Sequence, residues 1–167
     1  MSAWPKQSAM SAFYGNPDTN SDGRPDAAWE SANLVRITPP YRLVLAWDPK
    51  RAVSTVLVHR KCSDSLLRVL TAIKAHYGNQ AAIDAARMHL FGGVYNFRLM
   101  RGGSSLSIHS WGAAIDLDPE RNGLGVKRVE GKGQMPMEVV RMFEAEGWVW
   151  GGRWRRPDQM HFQAAVP

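Results

Sequence analysis

The sequence predicts a small α+β domain with a central, largely antiparallel sheet flanked by helices. Three observations carry this expectation. Short runs rich in Val, Leu and aromatic residues recur at 42–47, 53–58, 94–100, 114–117 and 160–163. Two amphipathic stretches of helical spacing follow Ser63 and Met135. Strands and helices mix without the strict alternation that a parallel α/β sheet requires.

Residues 1–33 are polar and turn-rich, with Gly15-Asn16-Pro17-Asp18 and Ser21-Asp22-Gly23-Arg24-Pro25. They are expected to form an N-terminal extension that packs, through Trp4, Phe13, Tyr14 and Trp29, on the domain of residues 34–167. Asp18, Asn20 and Asp22 followed by Gly23 match positions one, three, five and six of a calcium loop, but position twelve is Trp29 and Glu30 comes one residue late. Two readings stand: Ca2+ on Asp18, Asn20 and Asp22, or Asx turns in a solvated loop.

The runs 42–47 and 53–58 predict a β-hairpin or two sheet strands, with a turn at Asp48-Pro49-Lys50-Arg51. Ser63-Asp64-Ser65 is a capping sequence for a helix whose apolar face is Leu66, Leu67, Leu70, Ile73 and Tyr77, ended by Gly78. Asn79 caps a second helix through Ile83 and Ala86, stopped by Gly92-Gly93. A strand is expected at 94–100, then a turned link through Gly102 and Gly103. Ser107 and Gly112 suggest a turn before the buried strand Ala114-Ile115-Asp116-Leu117. After a polar loop, Met135-Pro136 starts a helix with Met137, Val140, Met142 and Phe143 on one side, ended by Gly147. Trp148-Val149-Trp150 and Met160-His161-Phe162-Gln163 read as the last strands.

A chain of 167 residues suits one domain with a substantial core. Its 44% hydrophobic and 22% charged residues are ordinary for a globular protein. The net charge of +6 favours an acidic partner: nucleic acid, a membrane surface or an anionic wall polymer. The basic residues are dispersed, with Arg153, Arg155 and Arg156 the one tight group, so nucleic acid is not expected. A single cysteine, Cys62, excludes an intrachain disulfide and a four-thiolate zinc site. No run of eighteen apolar residues exists, so no membrane insertion is expected. Met1-Ser2-Ala3-Trp4-Pro5-Lys6 lacks the apolar core of a secretory signal. The expectation is a monomer made in a cytoplasm and released by other means.

Asp116 lies within an apolar strand, which is costly unless the carboxylate is paired or metal-bound. His109 precedes it by seven residues, and His161 lies near the C-terminus. Two histidines and one carboxylate leave zinc a net positive charge and a fourth position for water, so His109, Asp116 and His161 are the candidate ligands. The plainer alternatives are hydrogen-bonded core histidines, the class assigned to His59, His76 and His89, and a turn-capping carboxylate. No His-Glu-x-x-His signature is present. Amide hydrolysis also needs a base that is not a ligand, for which Asp158 is the candidate, three residues before His161. A cation must meet the developing oxyanion; Arg98 is the candidate and Arg101 its rival. Trp111, Trp148 and Trp150 are core or cleft aromatics.

Ser107-x-His109-x-x-Gly112-x-Ala114-x-Asp116, followed by Asp158-x-x-His161-Phe162, resembles the zinc D-alanyl-D-alanine metallopeptidases. These comprise DD-carboxypeptidases, DD-dipeptidases and phage L-alanyl-D-glutamate endopeptidases. The resemblance covers about residues 90–165. Tyr95-Asn96-Phe97-Arg98, Gly147-Trp148-Val149-Trp150-Gly151-Gly152 and Met160-His161-Phe162 are similar to the phage endolysin branch. The resemblance implies the fold shared with the hedgehog signalling domain and one catalytic Zn2+ on His109, Asp116 and His161. It implies Asp158 as acid/base, and Arg98, with Arg101 left open, as the arginine that binds substrate. Ser107 would touch substrate or steady a ligand, and Trp150 and Arg101 join it as candidate substrate contacts. Peptidoglycan is the implied partner, reached in the periplasm after a holin opens the membrane. The implied activity is an endolysin's cut at L-alanyl-D-glutamate. The alternatives are a D-alanyl-D-alanine carboxypeptidase and, from another class, a non-catalytic zinc-containing wall-binding module.

Overall fold

A computed structural model describes residues 3–167 of the protein. In chain order its elements are α1 (Met10–Tyr14), α2 (Ala27–Asn33), β1 (Leu34–Ile37), β2 (Leu43–Leu45), β3 (Asp48–Val53), β4 (Val56–His59), α3 (Ser63–Tyr77), α4 (Gln80–Ala85), β5 (Leu90–Gly93), β6 (Ala114–Leu117), α5 (Met137–Ala145), β7 (Val149–Trp150) and β8 (His161–Gln163). Six strands form the main sheet in the order β3-β2-β5-β6-β8-β7, and β1 pairs with β4 in a separate ribbon. Every pairing is antiparallel except β2 with β5. The fold is α+β, as the sequence predicts.

The register of β6 and β8 organises the molecule. Ile115 pairs with Phe162 and Asp116 with His161. Successive side chains on a strand point to opposite faces, so one face takes Ile115 and Phe162 and the other takes Asp116 and His161. On the first face Phe162 stacks on Phe143 of α5, with ring centroids 3.9 Å apart. Val139 and Val140 of α5 and Leu66, Leu70 and Ile73 of α3 complete this buried layer. Burying each such side chain stabilises the fold by about 1.5–3 kcal/mol.

Helix boundaries follow local chemistry. Asn79 accepts a hydrogen bond from the Ala82 N–H and caps α4. Gly78, at φ +82°, takes the left-handed conformation that ends α3. The start of α3 differs from expectation, because Ser63 Oγ donates back to the Arg60 carbonyl and no side chain caps the helix.

Three strand expectations are corrected. The hairpin joins β2 to β3 through Ala46-Trp47, and residues 48–51 are strand instead of turn. β4 pairs with β1, not with β2. Residues 94–100 form no strand; the strand is Leu90–Gly93, which α4 leaves free by ending at Ala85. Beyond it the backbone bonds elsewhere. Asn96 N–H donates to the His109 carbonyl, Arg98 N–H donates to Ser110 Oγ, and the Arg98 carbonyl accepts from Ser110 Oγ and Ser107 N–H. These bonds leave the segment only one isolated antiparallel bridge, Leu99 with Leu106, too short for a strand.

Trp4, Tyr14 and Trp29 are buried in the main core, and Phe13 packs at its edge. The Tyr14 hydroxyl donates to the Ala164 carbonyl at 2.7 Å, and Trp111 Nε1 donates to the Gly15 carbonyl at 3.0 Å. No helix among the described residues is long and apolar enough to cross a membrane.

Candidate metal centre

His109 sits on a 3-10 turn, Ile108–Trp111, and its N–H donates to Ser107 Oγ. The turn closes on Gly112 at φ +66°, where a β-carbon would stand 2.9 Å from the His59 nitrogen; only glycine suits both constraints. His109 Nδ1 lies 2.8 Å from the Val94 carbonyl oxygen. A carbonyl only accepts, so Nδ1 carries the proton and Nε2 presents its lone pair. Nε2 is buried, lies 3.3 Å from Asp116 Oδ1 and has no hydrogen-bond partner.

Asp116 projects from β6 toward both imidazoles, and His161 Nδ1 lies 3.1 Å from the same Oδ1. Gly92 on β5 makes the position possible, because a β-carbon there would lie 2.9 Å from Asp116 Cβ. Burial alone pushes the Asp116 carboxyl up, but positive charge from a proton on His109 or His161, which a cation would replace, outweighs it and holds the group well below the usual carboxylate range. For His161 burial acts downward, and the hydrogen bond and charge of Asp116, aided by Asp158, raise its affinity for a proton.

Ligand atoms of His109, Asp116 and His161 all lie within 4.8 Å of one another. This donor set fits a cation. His109 Nε2 is an orphaned acceptor beside a carboxylate oxygen, and two lone pairs so placed repel unless a positive charge sits between them. Tetrahedral ligands about 2.0–2.2 Å from zinc stand about 3.3–3.6 Å apart, close to the 3.1 and 3.3 Å separations seen here.

A cleft opens beside the three side chains. Arg98, Arg101, Ser107, Trp154, Arg156, Asp158 and Gln163 line it. Asp158 Oδ1 is buried without a hydrogen-bond partner. Burial, and then the charge of Asp116, push the Asp158 carboxyl up, against the opposing pull of His161, His109 and Arg101.

Residues 101–164 match the protein family described as D-alanyl-D-alanine carboxypeptidase. The likeness is confined to this segment, which is under half of the chain. No curated protein and no solved structure gives a significant match. The DD-peptidase-like segment holds His109, Asp116, Asp158 and His161; Arg98 lies just before it.

Most residues singled out from the sequence converge on this cleft. Arg98 and Arg101 both line it, Arg98 from a loop and not from the expected strand. Trp150 does not line it. It is buried in the core, its Nε1 donates to the Gln159 carbonyl at 2.8 Å, and Arg153 stacks over its ring. Trp154 stands in the cleft instead, 5.5 Å from the His161 ring. Trp154, Arg156 and Gln163 escaped the sequence reading. For Gln163 a signal was present, since it lies two residues from His161 on one strand and therefore on the same face.

Calcium finds no support. Asp18 oxygens accept from the Asp22 and Gly23 N–H groups, Asn20 Oδ1 accepts from Asp22 N–H, and Asp22 Oδ1 accepts from Arg24 N–H. The Asn20 and Asp22 bonds, each to the N–H two residues on, are Asx turns. Of the other histidines, His59 is fully buried and hydrogen-bonded, as expected of a core residue. His76 departs from that expectation, with a side chain about half exposed near Glu138.

Proposed function

We propose that the protein is a zinc peptidase of bacterial peptidoglycan, acting as an endolysin on the L-alanyl-D-glutamate bond. The convergence of His109 Nε2, Asp116 Oδ1 and His161 Nδ1 beside the unpartnered Asp158 carboxylate carries this reading. Zinc held there would supply a water of near-neutral pKa and polarise the scissile carbonyl. Asp158 takes a proton from the attacking water and returns it to the leaving amine, so the C–N bond breaks as the new C–O bond is kept. Its raised proton affinity suits both halves of that task. Arg98 and Arg101 present positive charge to the carbonyl oxygen as negative charge develops there. Ser107 holds the turn that carries His109 and faces the cleft. The enzyme would meet the wall after release from the cell that makes it.

The description of the matched family and the three arginines of the cleft favour a second reading, D-alanyl-D-alanine carboxypeptidase. A free C-terminal carboxylate needs such a cation. Digestion of purified murein, with and without a chelator, followed by mass spectrometry of the products separates them. New N-terminal D-glutamate ends support the endopeptidase. Free D-alanine alone replaces it with the carboxypeptidase, and products that survive chelation overturn both.

A further inference from the structure

We propose that Gln163 is the positioning residue that makes His161 face the metal position through Nδ1. The inference rests on the metal reading of the site. Both ring nitrogens of His161 lie beside an acceptor: Nδ1 is 3.1 Å from Asp116 Oδ1 and Nε2 is 2.9 Å from Gln163 Oε1. A neutral imidazole has one N–H to give.

The Gln163 amide is fixed in direction, because its Nε2 donates to the Ala165 carbonyl at 3.0 Å. Turning it over would set its oxygen against the Ala165 carbonyl oxygen. Gln163 is fully buried, so no solvent substitutes for it. The His161 proton therefore belongs on Nε2, and the Nδ1 lone pair is left toward Asp116. His109 uses the opposite nitrogen, with its Nδ1 proton held by the Val94 carbonyl. One orienting acceptor is main chain and cannot be mutated; the other is the Gln163 side chain. The strand places it: Gln163 shares a face with His161, and Ala114, its partner across β6, is small.

The test compares the full-length protein with Gln163→Met and Gln163→Glu, measuring zinc affinity by competition with a chromophoric chelator. Long-range proton–nitrogen NMR of the histidine rings in the zinc-loaded protein gives the tautomer. The parent is expected to show His161 protonated at Nε2. Q163M is expected to bind zinc about 10–100-fold more weakly and to lose that single tautomer, with far-UV dichroism unchanged. Q163E sets a second oxygen against the Ala165 carbonyl but keeps an acceptor at His161 Nε2, so it should keep the Nε2 tautomer whatever its affinity. Parent-like affinity in Q163M, loss of the Nε2 tautomer in Q163E, or a parent protonated at Nδ1 overturns the proposal. A parent that binds no zinc overturns the metal reading itself, and this role with it.

Discussion

Gly151 lies against Asp158 so closely that a β-carbon on it would stand 2.5 Å from the Asp158 carbonyl oxygen and 3.1 Å from its β-carbon. The Asp158 N–H in turn donates to the Gly151 carbonyl at 2.9 Å. The glycine is thus the seat on which the proposed base rests. Gly151→Ala must move Asp158, while His109 and Asp116 sit on other segments. A misplacement of about 1 Å costs on the order of 100-fold in rate. The expected result is that loss in kcat on a murein-peptide substrate, with zinc affinity within a few-fold of the parent. A variant that loses zinc and activity in parallel contradicts it.

Removing the base itself should be more severe. Asp158→Asn keeps the shape and deletes the charge, so hydrolysis should fall by roughly 10²–10⁴-fold. Zinc should still bind, because Asp158 is not among the three clustered ligands. Metal content by atomic emission and turnover on the same sample check this. Undiminished lysis would assign the proton transfer to another group.

His59 predicts an acid-sensitive fold. Burial pushes its pKa down to about 4, against a smaller upward contribution from its bond to Tyr14. The neutral ring uses both nitrogens: Nε2 donates to the Tyr14 carbonyl at 2.9 Å and Nδ1 accepts from Lys61 N–H at 3.1 Å. Protonation removes the acceptor. The folded pKa lies below the unfolded one, so the unfolded state binds the extra proton first. Stability from this group is complete above pH about 6.5 and is lost as pH falls toward 4, by about 3 kcal/mol in all. Urea midpoints across that window should fall less steeply for His59→Gln than for the parent. Parallel slopes would remove His59 as the source.

The N-terminal segment should matter to stability and not only to reach. Tyr14→Phe strips the hydroxyl donor from the buried Ala164 carbonyl, the residue that follows β8. Leaving that acceptor unpaired costs about 1–3 kcal/mol. A chemical melt should read this loss, and a variant as stable as the parent would separate residues 1–33 from the fold energetically.

Some of this molecule is written locally. Asn79 and Gly78 mark helix ends because a side-chain oxygen or a left-handed glycine meets orphaned backbone groups there, whatever else surrounds them. Asp116 among Ala114, Ile115 and Leu117 announces a carboxylate that needs a partner, and His109 and His161 are chemically apt ones. The α+β class follows from the same short runs.

Partner choice is not written locally. Residues 42–47 and 53–58 have the composition of paired strands, yet one bonds to β3 and the other to β1, since any strand's N–H and C=O groups accept any register that the distant chain offers. Residues 94–100 have strand composition, but Ser107, His109 and Ser110 take up much of their backbone hydrogen bonding. Which tryptophan reaches the cleft was decided the same way: Trp150 turns into the core and Trp154 out of it, four residues apart. By itself the sequence determined the class of fold, several helix ends and the types of side chain at the centre. Only the tertiary structure decided strand partners, the seat of Asp158 and the place of Gln163 behind His161, because each depends on contacts between residues whose separation along the chain carries no information about their distance in space.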